Sequence, residues 1–198
     1  MKTLIIYAHP RTKGHCPLIL KEVEDWHRKN KIGFEVIDLY KIRYDPVLHE
    51  EEHYTAGNRK VSKENIAFQQ KIRDAEKMVF IHPVWWGSYP AILKGFIDRV
   101  FTSGFAFNLK PLGFLGISIP VKHLKGKKAA VIQTTGSPKI ITLTYFRNRF
   151  RKTLKNETLA FCGIKSRYFQ IDKAIQLNDA QVAKVNRVSK KAMEWLYS

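Results

Sequence analysis

The chain has 198 residues, of which 44% are hydrophobic; this suits one folded domain with a proper core and excludes the disordered regime. Lysine and arginine number 35 against 17 aspartates and glutamates, a formal net charge of +18 that concentrates anions such as nucleotides around the molecule. No zinc or other metal spacing, RNP motif or recognition-helix pattern accompanies that charge, so a nucleic-acid partner is not expected.

In chain order, Thr3 to Ala8 is a short β-branched run, as expected of a strand covered on both faces. A helix is predicted from Pro17 to Lys29, with Leu18, Leu20, Val23 and Trp26 facing inward. Phe34 to Leu39 reads as the second strand, Asn65 to Ala75 as the second helix and Lys77 to Val84 as the third strand. Pro90 opens a third helix at the position where a missing N–H costs nothing, with Ile92, Leu93, Phe96, Ile97, Val100 and Phe101 at helical spacing. Lys127 to Thr135 is the fourth strand, Thr144 to Phe161 a long helix, Ser166 to Ile171 the fifth strand, and Asp179 to Leu196 a closing helix. The long helix carries Arg147, Arg149, Arg151, Lys152 and Lys155 between Phe146, Phe150 and Leu154, the pattern of a solvated basic face. Alternating strands and helices imply right-handed crossovers and an α/β fold, a five-stranded parallel sheet with helices on both faces. No linker or repeat interrupts the pattern, so residues 1–198 read as one domain. Two loops, Tyr40 to Ser62 and Thr102 to Gly126, are longer than connection requires.

No secretory pattern opens the sequence, since Met1-Lys2-Thr3 leads straight into the first strand. Cys16 and Cys162 form no CxxC and read as free thiols of a reducing cytoplasm. No stretch is long and apolar enough to span a membrane, which leaves peripheral docking open.

In an open parallel sheet, ligands bind beyond the carboxyl ends of the strands, where the strand order reverses. After strand one, His9-Pro10-Arg11-Thr12-Lys13-Gly14-His15-Cys16 runs into a helix N-terminus, offering backbone N–H groups, a hydroxyl and two cations to a phosphate. It lacks GxGxxG and GxxxxGK[ST], so neither a dinucleotide-binding fold nor a P-loop is supported. After strand three, Pro83-Val84-Trp85-Trp86-Gly87-Ser88-Tyr89-Pro90 sets two adjacent indoles at the sheet edge, either as a support for a flat ring or as two-sided core. After strand four, Thr134-Thr135-Gly136-Ser137 allows close backbone approach to a planar ligand, as do many ordinary strand-to-helix loops.

These residues resemble the flavodoxin-like NAD(P)H:quinone oxidoreductases of the DT-diaphorase type. The most specific match is PVWWGSYPAILKGFIDRVF at Pro83 to Phe101. YAHP at Tyr7, DLY at Asp38, DPVL at Asp45, GFAF at Gly104, LKGKKA at Leu124, TTG at Thr134 and FCGIK at Phe161 follow in family order, so the resemblance spans nearly the whole chain. It implies a flavodoxin-like three-layer α/β sandwich with strand order 2-1-3-4-5, a bound flavin, a homodimer with active sites between subunits, and ping-pong hydride transfer from NAD(P)H through flavin N5 to a quinone. Carried over by position, His9, Thr12, Gly14, His15 and Cys16 would lie along the flavin's phosphate-bearing tail. Pro83, Val84, Trp85, Trp86 and Gly87 would line its ring together with Thr134, Thr135, Gly136 and Ser137. FAD is favoured over FMN by chain length and the extended 102–126 loop. Gly14-His15-Cys16 departs from the relatives' S-F-N or S-F-C, and Ser137-Pro138 replaces the second glycine of T-T-G-G. Tyr145 lies out of register with the tyrosine of some relatives and is assigned no role. No side chain is assigned to catalysis. Other members of the resemblance are ancillary subunits of potassium-efflux systems or electron carriers, an alternative role on the same fold.

Overall fold

A computed structural model describes residues 2–53, 60–113, 116–147 and 149–198. Its main sheet is five-stranded and parallel, in the order β2-β1-β3-β6-β7. The strands are β1 (Lys2–Tyr7), β2 (Gly33–Asp38), β3 (Lys77–Pro83), β6 (Lys128–Thr134) and β7 (Lys165–Ile171). With strands renumbered along the chain, this is the expected 2-1-3-4-5 order.

β1, β3 and β6 are buried almost end to end because both faces are covered. On one face, α1 (His15–Lys29) and α7 (Asp179–Tyr197) pack over Ile5, Val79, Ile81, Ala130 and Ile132. On the other, α2 (Lys63–Asp74) and α3 (Ala91–Val100) pack over Leu4, Ile6, Met78, Phe80 and Val131. The inward stripe of α1 is Ile19, Val23 and His27, spaced by one helical turn. Leu18, Leu20 and Trp26, expected to face inward, are half-buried at the rim of that cluster.

Two expected stretches are replaced by finer structure. The helix expected from Thr144 to Phe161 starts later: a short α4 (Lys139–Leu143) precedes it, and the chain then stays helical through α5 (Arg149–Lys152), a π-helical stretch (Thr153–Leu159) and α6 (Ala160–Cys162). Phe150 and Leu154 turn inward while Arg149, Arg151 and Lys152 face solvent, so the expected amphipathic pattern holds on a helix whose hydrogen-bond spacing changes along its length. Helical periodicity reports which residues share a face; it does not report a change of hydrogen-bond spacing along that face. The Thr102 to Gly126 loop contains an antiparallel hairpin, β4 (Phe107–Pro111) with β5 (Ser118–Lys122). Leu109, Ile119 and Val121 on it are exposed, and each strand is five residues long and carries a proline, which weakens the strand signal.

The other long loop is pinned to α3. A Cβ on Gly95 would collide with the backbone of Pro46, and Arg99 donates to the Asp45 carbonyl at 2.5 Å. The residues of the DPVL segment thus seat on the helix opened by Pro90.

Candidate functional site: two adjoining cavities at the sheet edge

β1, β3 and β6 end side by side, and their backbones are tied where they end. Ala8 N–H donates to the Ile81 carbonyl at 3.0 Å, Val84 N–H to Thr134 at 2.8 Å and Thr135 N–H to Ile171 at 3.0 Å. The following loops diverge above this edge and bound two cavities that share Val84 and Gly136.

The first cavity, about 900 Å³, includes His9, Arg11, Lys13, Gly14, His15, Cys16, Trp85 and Thr134 in its wall. On its far side lie Ala174 to Leu177, from the loop after β7. Gly14 caps α1 with φ of 123° and ψ of −163°, a conformation open to glycine and strained for other residues. No side chain caps this helix end and no acidic residue occupies its first turn. Pro17 stands within that turn, where its missing N–H removes no helical bond, and the N–H groups of His15 and Cys16 remain directed outward. His15 Nε2 is buried without a hydrogen-bond partner. Burial pushes its imidazole below the usual range, partly offset by nearby Gln181, whose own Oε1 stands outside hydrogen-bond geometry. Burial likewise lowers His9, against the opposing effect of the Arg11 backbone; its ring leans on Trp85 with centroids 6.1 Å apart. An uncapped helix N-terminus, two wall cations without a wall carboxylate and an orphaned buried nitrogen make an anion-binding site.

The second cavity, about 590 Å³, is bounded by Trp86, Gly87, Thr135, Ser137, Tyr145, Phe146 and Arg149 among others. Trp86 and Gly87 are the central residues of a tight turn. Trp85 and Ser88 exchange two backbone hydrogen bonds of 2.9 Å, and φ is 51° at Trp86 and 70° at Gly87. Positive φ at both positions is the signature of a type I′ turn, which favours Asn-Gly. A tryptophan there is strained and fully displayed, with 104% relative exposure, while Trp85 is 41% exposed. Neither indole belongs to the core. The N–H groups of Trp86, Gly87 and Gly136 have no partner among the described residues. The Thr135 hydroxyl, by contrast, is already committed: it donates to the Ser137 carbonyl at 3.1 Å and accepts from Gln170 at 2.9 Å.

Of the expected residues, His9, Gly14, His15, Cys16, Pro83, Val84, Trp85, Thr134 and Gly136 line the first cavity. Val84, Trp86, Gly87, Thr135, Gly136 and Ser137 line the second. Thr12 is exposed and lines neither. Missed were the loop after β7, and Thr142, Tyr145, Phe146 and Arg149, which come from α4, the turn after it and the start of α5. A third cleft of about 470 Å³, between α3, the hairpin and the π-helical turn, contains none of the expected residues.

The family model that matches this chain is described as a flavodoxin-like fold and covers residues 1–195. A Haemophilus influenzae protein named as an uncharacterized NAD(P)H oxidoreductase is 28% identical, over 93% of this chain and 89% of its own. The ribosyldihydronicotinamide dehydrogenase [quinone] of Pongo abelii is 31% identical, over 83% of this chain and 78% of its own. The crystal structure of Smu.1420 from Streptococcus mutans UA159 superposes with a TM-score of 0.84 at 30% identity, covering 98% of this chain and all of the other. Sheet order, cavity position and sequence thus agree, and the chain belongs to the flavodoxin-like oxidoreductase family that includes NAD(P)H oxidoreductases and quinone dehydrogenases.

Proposed function

We propose that the protein is a flavin-dependent NAD(P)H:quinone oxidoreductase in which a reduced nicotinamide and a quinone take turns in one cavity. The observation that carries this reading is the junction of an anion-binding cavity with an aromatic one through Val84 and Gly136. The first suits a phosphate-bearing tail and the second a flat ring. The printed names of the Haemophilus influenzae and Pongo abelii relatives support the reaction class.

A flavin nucleotide, FAD or FMN, fits the residues present. The N–H groups of His15 and Cys16, the orphaned His15 Nε2, Arg11 and Lys13 would hold its phosphates. Trp86, Gly87 and Gly136 would face its ring. The hairpin formed from the 102–126 loop lines neither cavity, so that loop gives no ground for preferring FAD. When bound, the flavin supplies a ring that accepts a hydride and passes it on. The chain's own part is to bind and orient. The unpartnered N–H groups of Trp86, Gly87 and Gly136 are fixed donors for the electron-rich edge of a reduced ring. Trp86, Tyr145 and Phe146 supply the flat apolar walls of a slot for the exchanging substrates. No wall nucleophile takes part, because burial pushes the Cys16 thiol up to about 12 despite its contact with Thr134.

A homodimer is proposed with it. Exposed Leu109 on the hairpin lines the cleft that includes Phe101, Phe107 and Phe161, an apolar face of the kind that a second copy covers. The test is anaerobic reduction of the flavin-loaded protein by NADPH followed by addition of menadione. The visible flavin band should bleach and then return, with steady turnover when both are present. Absence of bleaching contradicts the reading; reduction without quinone turnover makes the protein an electron carrier instead.

A further inference from the structure

Arg149 is the one charged residue on the described wall of the aromatic cavity. Its guanidinium is exposed and has no hydrogen bond or ion pair among the described residues. The charged side chains nearest it in sequence, Arg147, Arg151 and Lys152, are cations as well. Asp172, which caps the approach to α4, is occupied: it accepts from Lys139 N–H at 2.9 Å and from Lys184 Nζ at 2.7 Å. The backbone under Arg149 is anchored, since the next residue, Phe150, is 3% exposed in the core. The cavity therefore combines exposed aromatic walls, Trp86 and Tyr145, with a single cation on an anchored backbone. The cations suited to the cofactor's tail, Arg11 and Lys13, lie in the other cavity.

We propose that Arg149 is a specificity-determining residue that selects, among flat electron acceptors, those bearing an anionic substituent such as a carboxylate or sulfonate on the ring. A planar guanidinium pairs with such oxyanions through two parallel N–H donors, and the rings beside it take the aromatic body. The inference rests on the reading of this cavity as the place of electron transfer, and it adds which acceptors that place prefers.

The experiment compares menadione, which is neutral, with 1,2-naphthoquinone-4-sulfonate in the flavin-loaded wild type and in Arg149→Ala, Arg149→Lys and Lys191→Ala. Taking the ratio of kcat/KM for the two quinones within each protein, and then comparing proteins, cancels their difference in potential. Arg149→Ala should lower the sulfonate-to-menadione ratio about tenfold, and Arg149→Lys should lower it less. Lys191→Ala, which removes a charge from the exposed face of α7, should leave it unchanged. Calorimetric binding of naphthalene-2-sulfonate, which cannot be reduced, should weaken by a similar factor in Arg149→Ala and weaken further with added salt. An unchanged ratio with intact menadione turnover overturns this proposal alone. So does a loss confined to kcat/KM for NADPH, which would assign Arg149 to the donor. If no protein in the set transfers electrons from NADPH to either quinone, the functional reading falls, and this inference with it.

Discussion

Cys16 Sγ and Thr134 Oγ1 lie 3.6 Å apart although 118 residues separate them, a contact that joins the start of α1 to the end of β6 in the wall of the anion-binding cavity. Burial pushes the Cys16 thiol to about 12 in spite of the Thr134 hydroxyl, and pushes Cys162 to about 12 in spite of nearby Lys122. Almost no thiolate exists at neutral pH, so neither sulfur is a nucleophile. A chromogenic disulfide reagent should titrate no thiol in the native protein and both after denaturation. Rapid reaction of one thiol in the native state would show that this wall opens.

Trp86 occupies a turn position that suits asparagine better. Replacing it, Trp86→Asn, should relieve left-handed strain of about 1 kcal/mol, raising Tm by a few degrees for a domain of this size, roughly 2–4 °C. The same change removes an exposed ring from the aromatic cavity and should raise KM for menadione. Higher stability with weaker quinone binding is the expected pair; lower stability would mean that the indole contributes packing not evident from its exposure.

Arg99 and Glu52 form a two-pronged ion pair, Nε to Oε2 at 2.7 Å and Nη2 to Oε1 at 3.0 Å, with both side chains 7% exposed. Removing one partner of a buried pair leaves the other uncompensated, which costs about 3–5 kcal/mol. Arg99→Ala should therefore lower Tm by roughly 10 °C, whereas Lys94→Ala, which breaks an exposed pair with Asp98 on the same helix, should change it by about 2 °C or less. Thermal denaturation followed by circular dichroism separates the two.

His82 should make the fold sensitive to mild acid. Burial lowers its imidazole from 6.5 to about 4, against the hydrogen bond its Nδ1–H gives the Pro83 carbonyl. Above 6.5 the ring is neutral in both states and contributes no pH slope. Between 6.5 and about 4 the unfolded chain takes the proton and the folded chain does not, so stability falls with pH, by on the order of 3 kcal/mol for this group. Urea midpoints across that range should fall steeply in the wild type and more gently in His82→Gln. The residual slope includes His9, His15 and His27, which burial also lowers, and paired carboxylates such as Glu35, Glu52 and Asp172, which are held low.

Much of this architecture was legible because its strands are buried on both faces. Runs such as Leu4 to Ala8 and Met78 to Pro83 admit few alternatives, and they fixed the sheet and hence the edge where the three loops meet. What stayed hidden is local hydrogen bonding. Trp85-Trp86-Gly87-Ser88 carries glycine but not the asparagine that announces a type I′ turn. The helix was expected to begin at Thr144, but Tyr145 and Phe146 lie in a turn before α5 and line the cavity with Arg149, a start that side-chain periodicity does not mark. Thr12 was included for its hydroxyl, which a phosphate site would use, but it is exposed, and Arg11, Lys13 and Gly14 line the cavity instead.

The account depends on the sheet-edge cavities taking a flavin nucleotide. Titration of apoprotein with FAD and with FMN, followed by quenching of flavin fluorescence and checked with Gly14→Val, tests this most directly. Saturable binding at one site per chain, weakened in Gly14→Val where the helix entry is strained, is the predicted result; apoprotein that quenches neither nucleotide contradicts it.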